Sequence, residues 1–93
     1  MEKEQKEQFI EIAVVTTSGT YPSEGYNRTP THQKVRVELE KAAKELKITS
    51  TDGWFAEVGG KEIDVEKSYL DNGLSGKIFI NWGPRHGGGG TKS

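Results

Sequence analysis

Almost every apolar side chain in this sequence lies between Phe9 and Trp82, in short runs that alternate every second residue or recur every third to fourth. A chain patterned this way buries its apolar groups by laying a helix on a small sheet. Apolar side chains make up 31% of the 93 residues, or about 44% with the 12 glycines counted. An average globular protein holds roughly 45–50%, counting glycine, so a core forms here only if few apolar residues are left outside it. The ends offer nothing to bury. Residues 2–8 are all charged or Gln, which predicts a disordered extension over residues 1–8. Residues 83–93 lack large apolar side chains and hold four successive glycines, which predicts a flexible tail. One domain over residues 9–82 remains.

Several classes fall away on composition. No window approaches the roughly 20 consecutive apolar residues of a membrane helix. The opening MEKEQKEQ has no apolar h-region, so a cytoplasmic protein without a secretory signal is expected. With no cysteine, the sequence has no disulfide, thiol nucleophile or Cys-based metal site. The net charge is −1, from 13 basic and 14 acidic side chains interleaved in stretches such as EKAAKELK (40–47) and KEIDVEK (61–67). Nucleic-acid modules gather a basic excess on one face. Interleaved charge reads instead as solvated surface, with neither nucleic acid nor membrane as partner.

Phe9–Thr16 is rich in β-branched residues, and Ile10, Ile12 and Val14 alternate toward a core, which predicts a strand. Thr17-Ser18-Gly19-Thr20 is a turn, and Tyr21 opens a short second strand that Pro22 confines to an edge. A helix follows, capped by Thr29 or Thr31 with Pro30 in its first turn. Its apolar face is Val35, Leu39, Ala42/Ala43 and Leu46, and it ends near Lys47. Trp54–Val58 is a third strand; Gly59-Gly60 turns the chain into Lys61-Glu62-Ile63. A linking segment carries Val65, Tyr69 and Leu70, and the last strand is Lys77–Trp82. The order ββαββ predicts an α+β domain, one helix across a mixed sheet of about four to five strands.

Catalytic constellations are missing from this pattern. His32 and His86 have no partner at metal-ligand spacing. Asp64/Glu66 and Asp52/Glu57 are single acids on turns or alternating faces, not a pair in a pocket. The glycines do not form a phosphate loop, because no Gly-Lys-Ser/Thr opens a helix. A non-enzymatic protein with no catalytic residue, metal or cofactor of its own is expected, and it is expected to be a monomer.

The aromatic residues carry more. If Ile78 and Ile80 face the core, Phe79 faces away, and the same parity sends Trp54 and Phe55 to opposite faces. Phe79, with Phe55 or Trp54, is therefore a candidate partner-binding surface, since aromatic side chains dominate interface hot spots. The competing readings pack Phe79 under the N-terminal segment or shift the strand register by one residue. Trp82 is either a last core plug or a recognition element.

This element order, with a glycine run after the last strand, resembles the ubiquitin-like β-grasp family over about residues 9–90. The resemblance rests on the opening hairpin at Thr17–Thr20 followed by one helix, on Val58-Gly59-Gly60-Lys61-Glu62-Ile63, and on the closing strand leading into Gly87–Gly90. Gly25-Tyr26-Asn27, the Trp54 strand and Asp71-Asn72-Gly73-Leu74 look like bacterial ubiquitin-like modifiers. The family implies a β-grasp fold and conjugation through a C-terminal glycine, with Gly87, Gly88, Gly89 and Gly90 as the processing and conjugation positions. It implies an activating enzyme that consumes ATP, a conjugating enzyme, a JAB-type deconjugating protease and target lysines as partners. Thr91-Lys92-Ser93 would first be removed. A sulfur carrier ending in a thiocarboxylate, or an unconjugated interaction module, shares the fold and remains open.

Overall fold

Alternation in Phe9–Thr16 builds the strand on which the sheet is assembled. The computed structural model describes residues 8–84. The elements run β1 (Phe9–Thr16), β2 (Gly19–Tyr21), β3 (Asn27–Pro30), α1 (Val35–Glu45), β4 (Trp54–Val58), β5 (Lys61–Glu62) and β6 (Lys77–Pro84). The sheet order is β2-β1-β6-β4-β5, with β3 also on β1. β1 and β6 are parallel at the centre, and the other pairs are antiparallel. Because β6 occupies one edge of β1, β2 and β3 share the other, β2 along Val14–Thr16 and β3 along Phe9–Ile12.

The core is Ile10, Ile12 and Val14 of β1, Ile80 of β6, Ala56 of β4, Val35, Leu39 and Ala42 of α1, and Tyr69. The strand and helix residues follow the expected parity. Tyr69 does not: nothing in its turn-rich surroundings marks it as core, yet it is fully buried.

β3 is the strand the sequence conceals. Asn27-Arg28-Thr29-Pro30 shows no apolar alternation, and Thr29–Pro30 looks like the opening of a helix. In the fold, Ile10 pairs with Thr29 and Ile12 with Asn27, so both polar side chains lie on the helix side. They are satisfied there. The Asn27 amide donates to Glu38 Oε1 at 3.1 Å, and the Gln33 amide donates to Thr29 Oγ1 at 2.8 Å. The helix starts later, with Lys34 at the N-cap and no side-chain cap. Neither Thr29 nor Thr31 caps it, because a distant segment takes that role: the Val35 N–H donates to the Lys67 carbonyl and the Arg36 N–H to the Val65 carbonyl, both at 3.0 Å. A cap from elsewhere in the chain leaves no local signature.

Gly59 and Gly60 have φ of +61° and +83° and close the β4–β5 hairpin, a left-handed pair that glycine adopts without strain. At the other end, β6 continues beyond Trp82. Gly83 pairs with Phe55 and Pro84 with Trp54, so these two residues belong to the sheet, not to the tail. The expectations for residues 1–7 and for Gly87, Gly88, Gly89 and Gly90 lie outside the described residues.

Candidate functional site

Strand parity divides the sheet into a helix side and an open side. On β6, Ile78, Ile80 and Trp82 pack on the helix side, and Phe79 faces the open side, where it is 54% exposed. The β4 register sends Trp54, Ala56 and Val58 to the helix side and Phe55 and Glu57 to the open side. On β1, Phe9, Glu11, Ala13 and Val15 alternate with the core residues and so line the open side.

The open side has an aromatic centre flanked by cations. The Phe79 ring meets Tyr26 at 5.4 Å and 48°. Ala13 is the register partner of Phe79 and is buried although it lies on this side, a methyl below the level of its larger neighbours. The Arg28 guanidinium sits 4.4 Å from the centre of the Phe9 ring, and the Lys77 ammonium 5.0 Å from that of Tyr26. Both cations are register neighbours of Glu11, and Lys77 approaches its carboxylate at 3.9 Å. With both partners largely in water, that ion pair contributes little to stability. Phe79 is carried on β6 beside β1, and Tyr26 directly precedes β3, so the two rings form a surface suited to an apolar contact with a charged border.

The sequence-predicted surface residues do not converge on one spot. Phe79 and Phe55 share the open side, but Phe55 lies across from Gly83, four residues along β6 from Phe79. That spacing is about 13 Å at the rise of a strand. Trp82 is on the helix side, edge-to-face with Trp54 at 5.0 Å and 81°. Phe79 is not packed away; its partners are Tyr26, just before β3, and the small Ala13. Phe9, Arg28 and Lys77 also join the surface. Their signal was the alternation of Phe9 and Glu11 on β1, legible once the register of β3 is known.

Among the described residues, no group of three or more His, Cys, Asp or Glu is placed to hold a metal ion. No helix of the described chain is long and apolar enough to cross a membrane.

No protein-family model matches the chain, and no curated protein matches it in sequence. Solved structures do match in shape. The N-terminal ubiquitin-like domain in the 4931431F19Rik protein aligns with a TM-score of 0.60 at 16% identity, over 95% of this chain and 86% of that one. A chain solved under the heading "Molecular Mimicry of SUMO promotes DNA repair" aligns with a TM-score of 0.56 at 14% identity, over 81% of this chain and 92% of that one. With one helix on a mixed sheet whose central strands are parallel, this chain has a ubiquitin-like β-grasp fold.

Proposed function

We infer that the chain is a ubiquitin-like protein modifier of the bacterial type, joined to target lysines through a glycine of the run 87–90. The observation that carries the reading is the path of β6. This strand lies between β1 and β4 at the middle of the sheet, is held through Pro84, and leads after Arg85 and His86 into Gly87-Gly88-Gly89-Gly90. A firmly anchored body then bears a segment without Cβ atoms, which fits a narrow enzyme channel. The open face around Phe79 supplies a surface by which enzymes that act on the glycine would hold the body.

The chemistry is acyl transfer with the modifier as the transferred group. A protease cuts after one glycine and frees its carboxylate. The activating enzyme joins that carboxylate to AMP from ATP and releases pyrophosphate. Its cysteine thiolate then displaces AMP to give a thioester. The lysine amine attacks the acyl carbon, the thiolate leaves, and an isopeptide bond remains. Each catalytic group belongs to a partner, in keeping with a chain that has no cysteine.

The test is to incubate N-terminally tagged protein in extract of its native host, with and without ATP, and to resolve products under denaturing, reducing conditions. Adducts that need ATP and vanish when Gly87–Gly90 are all replaced by Val support the reading. Adducts that persist in the valine variant, or no adduct at all, favour an unconjugated interaction module.

A further inference from the structure

The helix leaves one corner of its own side of the sheet uncovered. α1 packs over β1 and β2, and the β4 end is bordered instead by the segment after β5. There the indoles of Trp54 and Trp82, half-buried and edge-to-face, form the floor of an open groove of about 490 Å³. Ile63 and Val65 form its apolar wall, and Glu62 and Asp64 alternate with them at the rim. The Ile63 N–H bonds to the Ala56 carbonyl at 3.0 Å, which fixes this wall against β4.

Asp64 is held in place but not neutralised. Its Oδ1 accepts the Glu66 N–H at 3.0 Å, and its main chain is tied to Asn72 on both sides, at 2.9 and 2.8 Å. Among the described residues no cation pairs with its carboxylate, whereas Glu66 is engaged by Arg36 at 3.0 Å. The acidic residues of the lining are Glu62 and Asp64; Glu57 lies on the open side of the sheet, and Glu66 is taken by Arg36.

We propose that this groove is a docking site for an arginine side chain presented by a protein partner. Charge complementarity and shape select it. A guanidinium is planar, stacks on an indole face, and makes paired hydrogen bonds to a carboxylate. Its three-carbon stem covers apolar surface while its head reaches the rim. The floor of two tryptophans and the anchored Asp64 provide both halves of that recognition at one place. The groove faces away from Phe79, so a partner seated here leaves the open side free for another. The inference does not depend on conjugation, and the failure of either leaves the other standing.

The test is NMR titration of the full-length, ¹⁵N-labelled chain with acetyl-Leu-Arg-Leu-amide, read at the indole Nε1–H of Trp54 and Trp82. Saturable shifts of both are expected. The peptide with citrulline, a neutral isostere, should bind about tenfold more weakly or worse, a difference of about 1.4 kcal/mol. Asp64→Asn, which keeps an oxygen for the Glu66 N–H, should weaken the arginine peptide at least about fivefold without altering the fold. Equal binding of the citrulline peptide, an unchanged affinity in Asp64→Asn, or shifts confined to Lys77 and Phe79 would each overturn the proposal.

Discussion

Phe79 and Tyr26 meet at 5.4 Å with their rings tilted by 48° on the open side of the sheet, and Phe79 remains more than half exposed. A ring so placed contributes to stability mainly through one aromatic pair, about 0.5–1.5 kcal/mol. Phe79→Ala is expected to lower stability by no more than about 1.5 kcal/mol in urea denaturation. The same variant should weaken capture by an enzyme that grips the open side by about 2 kcal/mol or more, as hot-spot aromatics do. Unfolding of the variant would mean that the ring supports the core.

Leu39 is in the opposite situation, 2% exposed and packed with Val35 and Ala42 against the β1 isoleucines. Leu39→Ala should cost about 2–5 kcal/mol, a large part of the stability of so small a domain. Urea denaturation measures it, and a loss below about 0.5 kcal/mol would remove Leu39 from the core.

The strands and helix face named by apolar alternation were legible because a half-buried element must repeat its core contacts at its own period. Ile10, Ile12, Val14, Val35 and Leu39 all show it. β3 was not, because its ladder is polar and its inward side chains are satisfied by Glu38 and Gln33 from elsewhere. The helix start was displaced for a similar reason, its free N–H groups being taken by the 65–67 segment. The outward turn of Phe79 followed from parity alone. That Tyr26 and Ala13 flank it depends on pairings between distant strands, which no local pattern encodes.

Glu38 organises that polar strand. It is almost fully buried, accepts from Asn27 at 3.1 Å and Gln33 at 3.3 Å, and pairs with Lys41 at 3.4 Å. Glu38→Ala removes two hydrogen bonds to a carboxylate from half-buried amides that keep Tyr21 and Thr29 as their other acceptors, and should cost about 1.5–3 kcal/mol. Lys41 is 55% exposed, so Lys41→Ala should cost less than about 1 kcal/mol. Equal losses would show that the ion pair, not the amide bonds, secures β3.

Tyr69 makes the fold sensitive to alkali. Its hydroxyl is buried without a hydrogen-bond partner among the described residues. Burial first, and the Glu38 charge second, raise its pKa above the ordinary tyrosine value. Above about pH 10 the unfolded phenol ionises while the folded one keeps its proton. The folded state then binds more protons, so stability falls as pH rises. Tyr69→Phe should be at least as stable at neutral pH and should lose less stability between about pH 9 and 12. A steeper alkaline loss in the variant would contradict this assignment.

Conjugation through the glycine run is tested most directly by mass spectrometry of lysine branches. Trypsin cuts after Arg85, so a target lysine joined to this chain would retain a His86-Gly87 branch. The number of glycines in that branch would identify the conjugated residue. The expected result is His followed by one to four glycines on lysines of proteins co-purified under denaturing conditions, absent when Gly87–Gly90 are replaced by Val. A chain recovered only as the free protein, from cells in which the full conjugation machinery is active, would contradict the modifier reading.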